Sequence, residues 1–381
     1  MKETQKLNFI EIESKSLLRK MKKIDSWFVS RYSMNIYRGC SHNCVYCDGR
    51  DEKYRVSGDF AHDIRIKMNA PYLLDKELDP KRRRKPMKKG FVVLGGGVCD
   101  SYQPAEKKYG LTRKILEILE KYNYPVSILT KSTLVERDID IIEKIRKKKQ
   151  AILSMSFSTT DDYLAGILEP GVPPPSERLR TLSKFAQKGI PTGMFLLPVI
   201  PFITDSPDMI DRAVKDAKNA GVRFINFGGM TLKEGRQKAY FMEVLMKHFP
   251  DYETEYSVIY RGDKYGSAIA DYYRSIDQVF DNISRKYHVP KRIPPELFRR
   301  HVEENDLVIA MLEHIDYLLK MRGFRSPYGY AAWQLSKIKE PLSCIQFELM
   351  NIKGIGKSIQ KLIREILSTG NSEYYHKLER Q

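Results

Sequence analysis

Arg38-Gly39-Cys40-Ser41-His42-Asn43-Cys44-Val45-Tyr46-Cys47 packs three cysteines into eight residues with the spacing C-x3-C-x2-C. The stretch directly follows a β-rich run, Met34–Tyr37, which the pattern predicts as the first strand of the fold. Three thiolates on one short loop can converge on one face of an iron–sulfur cubane, for which thiolate is the usual ligand. Three ligands for four irons leave one iron with an open position, which a reactive centre needs and a structural one avoids. The competing reading is a structural zinc site completed by His62, Cys99 or another residue, but zinc clusters usually repeat a C-x2-C pair and no second pair is present. His42, between two of the cysteines, reads as an exposed loop residue.

Working outward, short β-rich runs alternate with amphipathic helical ones. After Met34–Tyr37 the strand candidates are Phe91–Leu94, Val126–Thr130, Ala151–Phe157, Gly193–Ile200 and Arg223–Phe227. Between them, Leu111–Tyr122, Ile139–Lys148, Glu177–Lys188 and Pro207–Ala220 carry apolar residues at helical spacing. Six strand–helix units predict an α/β fold with a parallel sheet, either a partial barrel or an open doubly wound sheet. In both, the site forms in the loops beyond the strand C-terminal ends. The chain divides into a basic, partly helical lead-in (1–30, helix expected over Ser16–Ile24), an α/β unit (31–235) and a helical, aromatic-rich extension (236–330). A linker around Ser326–Glu340 leads to a small terminal unit (341–381).

Among 381 residues, 66 Lys and Arg stand against 48 Asp and Glu, a net charge of +18, and residues 1–150 alone contribute +14 of it. Such a field favours a polyanionic partner such as nucleic acid. The run Lys81–Lys89, with seven basic residues in nine, is its densest part. Five cysteines, three of them clustered, do not make a secreted disulfide framework. With no signal peptide visible, and no apolar window near the roughly 20 residues that span a bilayer, the expectation is a cytoplasmic protein with no membrane partner.

The cysteine spacing, the aromatic Tyr46 before the last cysteine and the position after the first strand resemble the radical S-adenosylmethionine (SAM) superfamily. More narrowly, Tyr37-Arg38-Gly39-Cys40, Asp100-Ser101-Tyr102-Gln103-Pro104, Leu168-Glu169-Pro170 and Pro198-Val199-Ile200-Pro201 look like the spore photoproduct lyase-related group, over about residues 31–270. The resemblance implies a partial (β/α)6 barrel, followed here by the helical C-terminal region. It implies a [4Fe–4S] cluster on Cys40, Cys44 and Cys47 whose open iron chelates SAM, and reductive cleavage of SAM to a 5′-deoxyadenosyl radical. It also implies an electron donor such as flavodoxin or ferredoxin. The cofactor-binding candidates are Tyr46, the turn Gly95, Gly96 and Gly97 for the SAM amino group, and Lys131 for its carboxylate. Ser156, Ser158 and Glu169 stand as further polar contacts, and Val199 and Ile200 as an apolar wall for adenine. Cys99 is the catalytic candidate, as the thiol that returns a hydrogen atom to a product radical.

Near the C-terminus, Glu348–Ile363 reads as a helix, a Gly-x-Gly turn and a second helix, resembling a helix-hairpin-helix motif. Its seam is Leu349, Ile352, Ile355, Ile359 and Ile363, and Lys353, Gly354, Gly356 and Lys357 are its nucleic-acid candidates, exposed N–H groups at a helix start being suited to phosphate. The leading expectation is a radical SAM enzyme, of spore photoproduct lyase-like type, acting on nucleic acid in repair or base modification. The alternatives are radical SAM modification of a peptide or small molecule, and a DNA-binding protein with a structural iron–sulfur cluster.

Overall fold

Six parallel strands carry the fold in the computed structural model, which describes residues 7–82 and 87–380. In chain order the strands are β1 (Asn8–Ile12), β2 (Arg19–Asp25), β3 (Ser30–Met34), β4 (Tyr37–Arg38), β5 (Asp63–Lys67), β6 (Phe91–Leu94), β7 (Val126–Thr130), β8 (Ala151–Phe157), β9 (Thr192–Val199) and β10 (Phe224–Gly229). The main sheet runs β10-β9-β8-β7-β6-β3-β2, with every neighbouring pair from β3 to β10 parallel and β2 antiparallel at the edge. Helices Leu111–Lys121, Ile139–Lys148, Pro175–Gln187 and Pro207–Asn219 cross between consecutive strands, as the helical spacing predicts. The result is the expected partial barrel. Its strand segments Phe91–Leu94 and Ala151–Phe157 are almost wholly buried because helices cover one face and the barrel interior the other.

The structure differs from the sequence expectation in the N-terminal part. Ser16–Ile24 is not helical: Arg19–Asp25 is the antiparallel edge strand β2. Arg19, Lys20 and Lys22 are exposed along it, and charge on such an edge discourages pairing with other chains. The first parallel strand is Ser30–Met34 rather than Met34–Tyr37, for the chain then crosses to a separate three-stranded sheet, β1-β5-β4. There Tyr37 and Arg38 pair antiparallel with Ile66 and Arg65. The cysteine loop therefore starts from this small sheet. Gly39 makes the corner at φ +78°, where a Cβ would sit 2.9 Å from the Phe60 carbonyl oxygen.

The C-terminal region packs onto the barrel. Helix Glu304–Met321 covers β2, and Arg31 Nε donates to Asp306 at 2.7 Å. Ser326–Glu340, expected as a linker, carries the helix Tyr328–Leu335, whose Ala331, Ala332 and Leu335 are buried. Of the hairpin's two expected helices only the second forms, Lys357–Thr369. The first is a single 3-10 turn, Leu349–Asn351. Leu349, Ile355, Ile359 and Ile363 share one apolar cluster with Phe298, Val308, Leu312 and the barrel residues Ile24 and Phe91. Of the basic run 81–89, residues 83–86 lie outside the described residues. Among the described residues no helix is long and apolar enough to cross a membrane.

Because Ile363 is fully buried in that shared cluster, Ile363→Ala is expected to cost about 2–5 kcal/mol. Differential scanning calorimetry should show one transition shifted downward for the whole chain, and a separate early transition confined to the tail would contradict the shared core.

Candidate active site

The loop Cys40–Cys47 is pinned at several backbone points. Cys40 N donates to Phe60 O at 3.0 Å, Val45 N to Leu168 O at 2.8 Å, and Gly171 N to His42 O at 3.0 Å. The loop thus lies against the segment that follows β8, at the C-terminal ends of the strands. Cys40, Cys44 and Cys47 are unpaired thiols around a cavity of about 110 Å³, with Gly95, Gly97, Cys99, Asp100 and Lys131. Without iron, burial pushes these thiols up, Cys44 to about 12, so they are protonated until a metal displaces the proton.

The donor set suits a cluster rather than a single ion. Among the described residues no three His, Cys, Asp or Glu gather closely enough to hold one ion. His62, a candidate to complete a zinc site, pairs with Asp59 at 3.1 Å away from this cavity. His42 is buried rather than exposed, with Nδ1 3.4 Å from Asp100. Asp100 is itself occupied by the Thr130 hydroxyl, the Lys131 N–H and the Tyr102 N–H at 2.7–2.9 Å. Cys99 borders the cavity, but its thiol donates to the Tyr37 carbonyl at 3.1 Å.

Behind the loop lies a fully buried carboxylate, Glu169. Its Oε1 accepts from the Tyr46 hydroxyl, from Ser158 Oγ at 3.0 Å and from Lys131 Nζ at 3.1 Å, while Oε2 accepts from Arg178 Nη2 at 2.6 Å. Burial alone would raise Glu169; Arg178 and Lys131, with the Tyr46 hydroxyl, outweigh it and hold the group at about 2. Lys131 also donates to Ser156 Oγ at 2.7 Å, and Arg178 to the Ser156 carbonyl at 2.5 Å. The expected residues Tyr46, Lys131, Ser156, Ser158 and Glu169 therefore form one network. Arg178 was missing from the expectation. Its signal was present, since it shares the buried face of helix Pro175–Gln187 with Leu182 and Phe185.

A larger cavity of about 720 Å³ adjoins the first and shares Cys44, Cys47, Gly97 and Lys131 with it. Gly95 makes the turn after β6 at φ +80°, where a Cβ would meet the Leu129 carbonyl at 2.0 Å, and Gly96 and Gly97 then line the larger cavity. Val199 and Ile200 do not line it. They are core residues, and Leu197 and Pro198 stand at the wall. The cause is a bulge: β9 advances from Leu196 to Val199 while β10 advances only from Phe227 to Gly229, which reverses the facing of the residues beyond it. The rest of the wall includes Trp27, Phe28, Tyr54, Met230 and Tyr273, which carried no local motif.

A family profile described as Radical SAM superfamily matches residues 34–213, the span that holds the cysteine loop and most of the barrel. An uncharacterized protein of Mycobacterium tuberculosis is 31% identical over 263 residues, covering 68% of this chain and 75% of its own. The chain belongs to the radical SAM superfamily. A further relative, an uncharacterized protein of Methanocaldococcus jannaschii, is 28% identical over 68% of this radical SAM chain and 87% of its own. Among solved structures, spore photoproduct lyase complexed with dinucleoside spore photoproduct has the same fold, with a TM-score of 0.53 at 13% identity over 73% of this chain and 79% of that one. A mutant of spore photoproduct lyase matches over the same shares of the two chains, with a TM-score of 0.51 at 14% identity. As a radical SAM protein it takes a [4Fe–4S] cluster and SAM as cofactors.

Glu169→Gln would leave the fully buried Arg178 and the largely buried Lys131 without their shared anion, a change expected to cost about 3–5 kcal/mol. The carboxylate's contribution is complete above pH 4.5 and is lost as the pH falls toward about 2. Denaturant melts between pH 7 and pH 2 should therefore show the gap between wild type and Glu169→Gln closing in acid; a gap that does not change with pH would contradict the assignment.

Proposed function

We propose that this radical SAM enzyme acts on nucleic acid, repairing or modifying a base, with a lyase-type reaction of the spore photoproduct lyase kind as the favoured form. The observation that carries the reading is the continuity of the thiol-lined cavity with a larger, aromatic-walled one. A ligand on the cysteine side and a second molecule carrying a planar ring would share one continuous space. Support comes from the +18 charge and from the fold shared with a lyase solved with a dinucleoside photoproduct.

In this reading Cys40, Cys44 and Cys47 hold the cluster. When bound, the reduced cluster and SAM supply a 5′-deoxyadenosyl radical that takes a hydrogen atom from the substrate. The chain's own residues bind, orient and exclude water. Lys131, held at the cavity edge by Glu169 and Ser156, would offer its ammonium to the SAM carboxylate. The Gly95–Gly97 backbone, at the two cavities, would take the SAM amino group, and Leu197 and Pro198 would give the apolar wall expected from Val199 and Ile200. Glu169 offsets one of the two positive charges of Lys131 and Arg178 and holds the Lys131 side chain in place at the cavity edge. Cys99, on the cysteine side, is the thiol proposed to return a hydrogen atom to a product radical. An electron donor such as flavodoxin or ferredoxin completes the system.

The turn Lys353–Lys357 is the proposed nucleic-acid contact. Gly354 sits at φ +88°, and helix Lys357–Thr369 begins without a side-chain cap, which leaves its first N–H groups for phosphate oxygens. Exposed Lys353 and Lys357 flank them.

Two measurements check the reading. Anaerobic reconstitution with iron and sulfide, followed by reduction with SAM present, should yield 5′-deoxyadenosine; its absence from iron-loaded protein would sink the enzyme assignment. Retention of an oligonucleotide should fall steeply with salt, and replacing both Lys353 and Lys357 by Ala should reduce the log–log slope by about 1.5–2. A salt-independent association, or no association, would remove the nucleic-acid part.

A further inference from the structure

The turn between β2 and β3, Ser26–Val29, brings two aromatic rings to the larger cavity. Trp27 and Phe28 both border it, beside Gly96, Leu197 and Gly228. Phe28 stacks on Phe195 of β9 at 5.1 Å with 16° between the rings. Asn226 of β10 donates its side-chain N–H to the Trp27 carbonyl at 3.0 Å. Thus the turn reaches from one edge of the sheet to the other. Val29 is in the left-handed region at φ +46°, where β-branched residues are rare, so the turn keeps its shape against a backbone preference.

Besides Asp25, the residues that hold the turn from behind come from the C-terminal half. Arg292 is buried, its guanidinium carbon 3.9 Å from the centre of the Trp27 ring and 3.3 Å from that of Tyr317. His314 Nε2 bonds the Ser26 carbonyl at 2.9 Å, and Asp25 Oδ1 accepts from the Trp27 N–H at 2.8 Å. A planar cation on an aromatic ring fixes that ring by electrostatic attraction and by packing. An indole so fixed is a preformed plate, and a ring that docks on it need not first order it.

We propose that Trp27 and Phe28 form a stacking floor for a nucleobase ring, with Arg292 as the positioning residue that holds Trp27 in place. The cavity offers aromatic faces with few polar side chains, among them Asp48, Lys131, Ser156, Thr231 and Ser267. That composition suits a planar heteroaromatic ring with a polar handle. Two sources share this chemistry: the adenine of SAM, and a base of the nucleic-acid substrate, the second resting on the function proposed above.

Equilibrium dialysis of cluster-loaded protein under anaerobic conditions separates them, with SAM as one probe and dinucleotides of the four bases as the other. Trp27→Leu should weaken at least one probe about tenfold or more, the scale of one lost aromatic stack, while Trp27→Phe retains most of the affinity. Arg292→Gln should weaken the same probe, and Arg292→Lys should restore part of the loss, with iron content and melting temperature measured alongside. Weakening confined to SAM assigns the floor to adenine, and weakening confined to a dinucleotide assigns it to the substrate base. If no dinucleotide binds wild-type protein, the nucleic-acid reading fails, while the SAM arm still decides the stacking floor. Trp27→Leu protein that binds every probe as tightly as wild type overturns the proposal, as does an equal loss in Trp27→Phe. Should Arg292→Gln fail to fold, the Trp27 pair and Arg292→Lys carry the decision.

Discussion

A single buried carboxylate ties together the parts that make this site. Glu169 reaches the cysteine loop through Tyr46, the end of β7 through Lys131, the segment after β8 through Ser158, and the following helix through Arg178. A charge buried this completely survives only if its partners are in place, and removing one partner leaves others uncompensated. The network therefore acts as a gauge of correct assembly. Strand ends that are far apart in sequence must all arrive before the carboxylate is satisfied, and when they do, the cysteines and Lys131 border one cavity.

Six strand–helix units leave the barrel incomplete, so its open side must be closed by something else. The β2–β3 turn crosses that side, and helix Glu304–Met321 supports it from behind through His314 and Tyr317. The helical C-terminal region thus contributes to the cavity without bordering it at those residues. The apolar cluster that includes Phe91, Phe195, Val308 and Ile363 carries the same connection through the core. Barrel, turn and C-terminal helices share their packing, and a change in one is felt by the others.

Much of this was legible in the sequence because it is local. The alternation of strands and amphipathic helices gave five of the six parallel strands nearly in register, and the cysteine spacing located the loop. Tyr46, Lys131, Ser156, Ser158 and Glu169 were identified one at a time, but that they form one network depends on where the strand ends meet. The failures have physical causes. In Arg19–Asp25 the apolar Met21 and Ile24 lie three apart, a helical spacing, and the strand they form is irregular in its pairing. Val199 and Ile200 were displaced by a bulge whose only local trace is Pro198. Arg178 and Trp27 looked like an ordinary helix residue and an ordinary aromatic, because their partners, Glu169 and Arg292, are 9 and 265 positions away in the chain.

The proposed chemistry depends on three thiolates binding a cubane that leaves one iron without a protein ligand. Mössbauer spectroscopy of protein reconstituted anaerobically with ⁵⁷Fe tests this most directly. Four irons per chain are predicted, with the signal of one iron shifting when SAM is added while the other three keep theirs. Protein that binds zinc in place of iron, or a cluster in which none of the four irons responds to SAM, would contradict it.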